Sequence, residues 1–273
     1  MRISIIFALG LGWTSLAPRA LAQPLAPPKP AASGFKIQVT RYYSGPEPVG
    51  RAEIVAHGGR VYMFDSETPE EVVIYDPEGG RIHLLDMARK LTAELPVKKL
   101  DESQTALRKA IDGVIGKREA EGGRANRVAA QMSRDLLDPH FTPTFDAALG
   151  KLHMANDTTE IDALGMPDAV PARLELVADI LGVSWKLAAL RDPSSIPPFP
   201  RLEALRAMTR ERNLRLTELS ALYRLAGKPV RLRSTYLLTP SLAGSETKAL
   251  DRVESMRGDA KRLSFDRYER RAE

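Results

Sequence analysis

The chain has 273 residues, of which 43% are hydrophobic and 27% charged, a globular rather than a disordered composition. It contains no cysteine, which excludes disulfides, a thiolate nucleophile, thiolate metal sites and a lipidated N-terminal cysteine. The net charge of +5 is uneven: from Arg201 onward 17 basic residues meet 10 acidic ones, a net +7, so the remainder is slightly acidic.

Arg2 precedes the apolar run from Ile3 to Trp13, and Ala20-Leu21-Ala22 supplies the small residues of a signal peptidase site. Residues 1–22 are therefore expected to be a signal peptide, and the protein to be periplasmic or extracellular after cleavage near Ala22. Pro24, Pro27, Pro28 and Pro30 then mark residues 23–34 as a Pro-rich disordered tether. Charged residues break every later apolar stretch well before the roughly 20 residues that a spanning helix needs, so an integral membrane protein is not expected.

Phe35 to Thr40 and Ala52 to His57 alternate apolar and polar residues with period two, and Gly58-Gly59 supplies a tight hairpin turn into Arg60 to Asp65. Val72 to Tyr75 runs into Asp76-Pro77-Glu78-Gly79, a type I turn sequence, and Ile82 to Leu85 returns. Leu91 to Leu95 completes an antiparallel meander of about six strands. At Asp101 the period becomes helical, with Leu107, Ile111, Val114 and Ile115 on one face and Asp101 and Gln104 spaced as a capping box. Gly122-Gly123 breaks this helix, and Val128, Met132 and Leu136 continue a helical face to Asp138-Pro139. Phe145 to Met154 and Glu160 to Leu164 read as a hairpin around Asn156-Asp157.

Leu174, Val177, Ile180, Leu181, Trp185 and Ala188 define a long amphipathic helix from Pro171. The stiff connector at 192–200 is a candidate subdomain boundary within a single α+β domain at 35–273. A short helix follows, then a hairpin of Leu214 to Ala226 and Val230 to Thr239 about Gly227-Lys228-Pro229, a helix with Leu250, Val253 and Met256, and a last strand at Leu263 to Tyr268. The fold class is α+β: a curved, half-barrel-like antiparallel meander, one-sided and covered by amphipathic helices, with a C-terminal hairpin, helix and strand.

Catalytic signatures are missing from this pattern. No serine has both flanking glycines of a nucleophile elbow, and Gly113 with Gly116-Lys117 lacks phosphate-loop spacing. Asp135, Asp138, His140, His153 and Asp157 are the best metal candidates by residue type, but their spacing fits no metal motif, and a surface turn is the simpler reading. His57 and His83 fall on the solvent phase of their strands. Glu70 with Glu71, and Glu160 with Asp162, flank strands or turns and are expected to be solvated. Asn156-Asp157-Thr158 is a formal glycosylation sequon. No catalytic, cofactor-binding or metal residue is assigned, and no cofactor is implied.

The meander from Gly50 to Leu95 with Val72-Val73-Ile74-Tyr75-Asp76-Pro77, the following helix and the late hairpins resemble periplasmic lipoprotein carriers. It also resembles a set of exported bacterial proteins of unknown function that share the Asp-Pro turn and the connector Pro197 to Arg201. The carrier resemblance implies a half-barrel that shelters acyl chains beneath helices. The expected function is non-catalytic binding of a lipid or lipidated protein between sheet and helices, with Tyr62, Phe64, Tyr75 and Trp185 as candidate cavity lining. The alternatives are an exported structural or interaction module with a filled core, or a hydrolase with an unrecognised site. The basic C-terminal third suits weak contact with an anionic surface, whereas nucleic acid is not expected, because aromatic residues for base stacking make up only 6%. Peptide mapping of the protein from its native host should find Gln23 as the mature N-terminus; a chain that retains Met1 would remove the premise of export.

Overall fold

The computed structural model describes residues 34–193, 195–224 and 229–270. The signal-peptide reading, all of the tether but Gly34, and Gly227-Lys228 of the late hairpin turn lie outside these residues. In chain order the strands are β1 (Phe35–Tyr43), β2 (Pro48–His57), β3 (Arg60–Asp65), β4 (Glu71–Asp76), β5 (Arg81–Asp86) and β6 (Leu91–Pro96). Helices α1 (Val97–Glu121) and α2 (Arg124–Leu137) separate them from β7 (Thr142–Asp146), β8 (Lys151–Ala155) and β9 (Thr159–Pro167). Next come α3 (Pro171–Arg191), α4 (Phe199–Arg206), a π-helical turn at Ala207–Glu211, β10 (Leu214–Tyr223) and β11 (Val230–Thr239). The described chain closes with α5 (Gly244–Asp259), β12 (Lys261–Leu263) and α6 (Phe265–Glu269).

All 12 strands form one open sheet, ordered β12-β6-β5-β4-β3-β2-β1-β11-β10-β9-β8-β7. Every pairing is antiparallel except the short β12–β6 contact. The β2–β3 turn carries Gly58 and Gly59 at φ 57° and 79°, which side chains with a Cβ rarely adopt. In the β4–β5 turn the Asp76 carboxylate accepts the Gly79 N–H at 2.7 Å, so aspartate fixes the bend by its own side chain.

Inner-face residues from both ends of the sheet, among them Ile37, Val61, Ile82, Leu84, Leu152 and Ile161, join Val177, Ile180 and Leu181 of α3 in one core. The opposite face is not simply solvated, as a one-sided sheet would be. Val55, Tyr62, Val72, Ile74 and Leu85 form a second core with Leu250 and Val253 of α5. Burial on both faces explains why Val72-Val73-Ile74-Tyr75 is continuously apolar rather than alternating. The N-terminus of α5 is held by Glu246, which accepts the Ala243 N–H at 2.7 Å and also pairs with Lys36 of β1.

Other expectations need correction. α1 starts at Val97, after Pro96, so Asp101 lies within the helix and binds Lys186 of α3 at 2.7 Å instead of capping. Phe145 to Met154 is not one strand: Asp146 accepts the N–H groups of Ala148 and Leu149 at 2.9 and 3.1 Å, and the chain reverses into β8. The final Leu263 to Tyr268 strand is a three-residue strand followed by α6.

The end of α3 is locked by a buried ionic cluster. Arg191 grips Glu71 of β4 with two hydrogen bonds of 2.6 and 2.9 Å and reaches Glu269 at 3.1 Å, while the Tyr268 hydroxyl donates to Glu71 at 2.9 Å. Glu71 is thus a buried structural anion, not a solvated one. Glu71→Gln removes the buried charge and leaves a single amide oxygen to serve both Arg191 and Tyr268, with Glu269 the remaining carboxylate on Arg191, so it should cost about 3 kcal/mol of stability in urea unfolding. An unchanged midpoint would show that the cluster does not hold α3 and α6 to the sheet.

Candidate functional site

The four aromatic residues expected to line one cavity divide between the two faces. Tyr75 and Trp185 belong to the inner core, whereas Tyr62 and Phe64 sit under α5 on the outer face, where the Tyr62 hydroxyl donates to Glu254 at 2.8 Å. Alternation alone dictates this split, because Val61 and Met63 occupy the inner phase of β3. Only Tyr75 and Trp185 border the space between sheet and helices.

That space contains a polar group that sequence reading did not single out. The Arg201 guanidinium lies 5.4 Å from the Trp185 ring centroid, in the first turn of α4. Pro197, Pro198 and Pro200 cannot continue a preceding helix, and Pro200 is preorganised for this first turn, so the connector delivers Arg201 to the inner side. Facing it are Tyr223 at the end of β10 and Tyr236 of β11, both buried. Burial pushes the Tyr236 phenol up to about 12, and raises Tyr223 as well, while the Arg201 charge pulls both the other way. The Tyr223 hydroxyl and Arg201 Nε are both buried; the guanidinium lies close enough to the phenol to stabilise its ionised form, but neither of these two atoms makes a hydrogen bond of good geometry.

Other partly buried arginines are committed elsewhere. Arg41 makes a bidentate contact to Asp65 at 2.6 and 2.8 Å. Arg173 and Arg215 share the buried Asp168 at 2.5 and 3.3 Å, which holds that carboxyl below its usual range despite burial. Among the described residues no carboxylate lies within ion-pair distance of Arg201, which sets it apart as a partly buried cation with spare donors. The phase of Leu219, Ala221 and Tyr223 in β10 could have placed Tyr223 inside, but no local pattern marks Arg201.

The proposed metal candidates do not converge. Asp135 is buried and accepts from Thr158 at 3.1 Å and Gln131 at 2.7 Å, Asp138 and His140 form an exposed contact of 3.7 Å, and Asp157 is exposed. Instead His153 meets Asp162 at 3.1 Å across β8 and β9, with Glu160 nearby, so the three could offer ligand atoms within 4.8 Å of one another. Lys151 at 3.1 Å from Asp162 and Arg224 at 2.6 Å from Glu160 already neutralise those carboxylates. The sequon turns inward: the Asn156 side-chain oxygen accepts the Thr158 and Thr159 N–H groups, and its amide nitrogen is buried.

No family model matches the sequence, and no curated protein matches it.

His83 also departs from expectation. It lies beneath α5, its side chain only 13% exposed, and burial with the nearby Arg257 holds its imidazole below the usual histidine range. The unfolded chain takes up this proton near pH 6.5, and the folded protein only at lower pH. In that window the unfolded state binds more protons, so stability falls as pH drops from about 7. His83→Gln should flatten the stability profile between about pH 7 and pH 5; a profile of unchanged slope would exclude this histidine as the cause.

Proposed function

We propose that the protein is an exported, non-catalytic binder of an amphipathic anion, such as a fatty acid or an acidic lipid, held between the inner sheet face and its helices. The observation that carries this reading is Arg201: a guanidinium with no carboxylate partner among the described residues, set against Trp185 and beside the Tyr223 hydroxyl at the border of an apolar interior, would offer charge to a headgroup while the interior accepts a chain. Apolar burial supplies about 25 cal/mol per Å² toward affinity. Among the described residues no helix is long and apolar enough to cross a membrane.

Ile37, Ile161 and Ile180 are at most 1% exposed, so chain entry requires α3 and α4 to move away from the sheet. The same tight packing favours a second reading, a structural or interaction module whose core is full. One titration separates them. The sequence has two tryptophans, and with Trp13 removed with the signal peptide, Trp185 alone reports binding. Dodecanoate should shift its emission, neutral dodecyl maltoside should bind more weakly, and Arg201→Gln should weaken dodecanoate at least tenfold, the loss expected for one charge-assisted contact. Unresponsive emission, together with a loss of about 3 to 5 kcal/mol on Trp185→Ala, would leave the filled-core module standing.

A further inference from the structure

A recess lies on the outer face of the same sheet, away from α3 and α4. It spans β8, β9, β10, β11 and β1 and encloses about 330 Å³. Register explains the depression: Ser220 of β10 is paired with Asp162 on one side and Arg233 on the other, and Arg233 is paired with Tyr42. A small residue between long ones leaves a floor lower than its walls.

The charges around this floor are unequally matched. Asp162 is occupied by Lys151 and His153, each at 3.1 Å. Arg233 lies over the Tyr42 ring at 4.1 Å from its centroid, with its Nε buried and lacking a hydrogen-bond partner. Arg231, two residues along the same strand, projects to the same side of the sheet. Among the described residues no carboxylate lies within ion-pair distance of either guanidinium, and Glu218, which also lines the recess, has no cationic partner within that distance. Two adjacent like charges on one strand face repel each other. An anion seated between them removes that repulsion and satisfies the spare donors.

We propose that this recess binds a phosphate ester whose organic part carries hydroxyl groups. A tetrahedral phosphoryl group offers oxygens to two separate guanidinium forks at once, which the two oxygens of a carboxylate do less well. The recess is larger than a phosphate alone requires, and its remaining lining, the Glu218 carboxylate with the hydroxyls of Ser44 and Ser220, matches hydroxyl groups of an esterified polyol. The ester comes either from a small metabolite or from a lipid headgroup, and the chemistry recognised is the same.

Calorimetric titration of the mature protein distinguishes these sources. Glucose 6-phosphate should bind with one-to-one stoichiometry, while glucose gives no heat. Arg233→Gln should weaken binding at least tenfold. Arg231→Gln, at an exposed position whose loss leaves packing intact, should weaken it several-fold, with far-UV circular dichroism unchanged. Vesicles of phosphatidylcholine with and without phosphatidylglycerol form the second arm: sedimentation only with phosphatidylglycerol, lost in Arg231→Gln, would identify a headgroup as the source. Absence of binding in both arms, or binding that neither substitution alters, would overturn the proposal. Dodecanoate binding reported by Trp185 is read separately, so this site and the inner one fail independently.

Discussion

The sheet depends on the two hydrogen-bonded edges of β1. Lys36 to Tyr43 pair with Thr239 to Leu232 of β11 on one side, and Phe35 to Tyr42 pair with Ala56 to Pro48 of β2 on the other. Without the β11 ladder the N-terminal meander β1–β6 and the later strands β7–β11 would be separate sheets with four edges to protect. The join closes a loop of almost the whole described chain, yet closure entropy grows only logarithmically with length. What fixes it is register: Phe35, Ile37 and Val39 enter the core, and a slip of one residue would expose all three. Pairing partners so distant in sequence also make slow folding the expectation.

An open sheet leaves two terminal edges, and the chain treats them differently. At one end β12 adds a parallel strand to β6, and Tyr268 of α6 is buried behind it and anchored on Glu71. At the other end, among the described residues, β7 is paired on one side only. It is five residues long, mostly exposed, and carries Pro143, which has no N–H to offer an incoming strand. A short, proline-bearing edge resists sheet-to-sheet association without a covering element.

How far the sequence predicts this architecture varies with the range of the forces involved. Strands β1 to β6 are readable because alternation and the Gly58-Gly59 and Asp76-Pro77 turns are local signals. The β7–β8 bend depended on Asp146 and Gly150, the latter at φ 61°, without the paired turn residues that marked the earlier hairpins. The placement of α5 is less accessible still. Its apolar stripe of Leu250 and Val253 is legible, but which sheet face it covers is decided by tertiary contacts, including Lys36 with Glu246 and Tyr62 with Glu254. Taking the outer face as solvated therefore put Tyr62 and Phe64 in the wrong layer and His83 in water. The continuous run Val72 to Tyr75 was the available signal for burial on both sides. Arg201 had none, since a proline-rich connector has no periodicity from which an inward direction could be read.

Arginine occurs in this protein in two distinct electrostatic settings. Arg41, Arg173, Arg191 and Arg215 each meet a carboxylate, and those contacts bind sheet edges, helix ends and loops together. A guanidinium drawn partly out of water needs such a partner, because its desolvation is otherwise uncompensated. Arg201 on the inner face and Arg233 on the outer face have no such carboxylate among the described residues, one lying against Trp185 and the other against Tyr42; a buried Nε without a partner is common to them and to Arg41 and Arg215, so the missing carboxylate is what separates the two groups. The aromatic ring provides attraction to the face of the guanidinium without using its in-plane donors. Neither position has the internal ion pair that occupies the other four guanidinium groups. The difference lies in their surroundings: Arg201 borders the apolar inner core beside Tyr223 and Tyr236, which on the function proposed above would suit an amphipathic molecule, whereas Arg233 shares its recess with Ser44, Ser220 and Glu218, which on the further inference would suit a hydrophilic one.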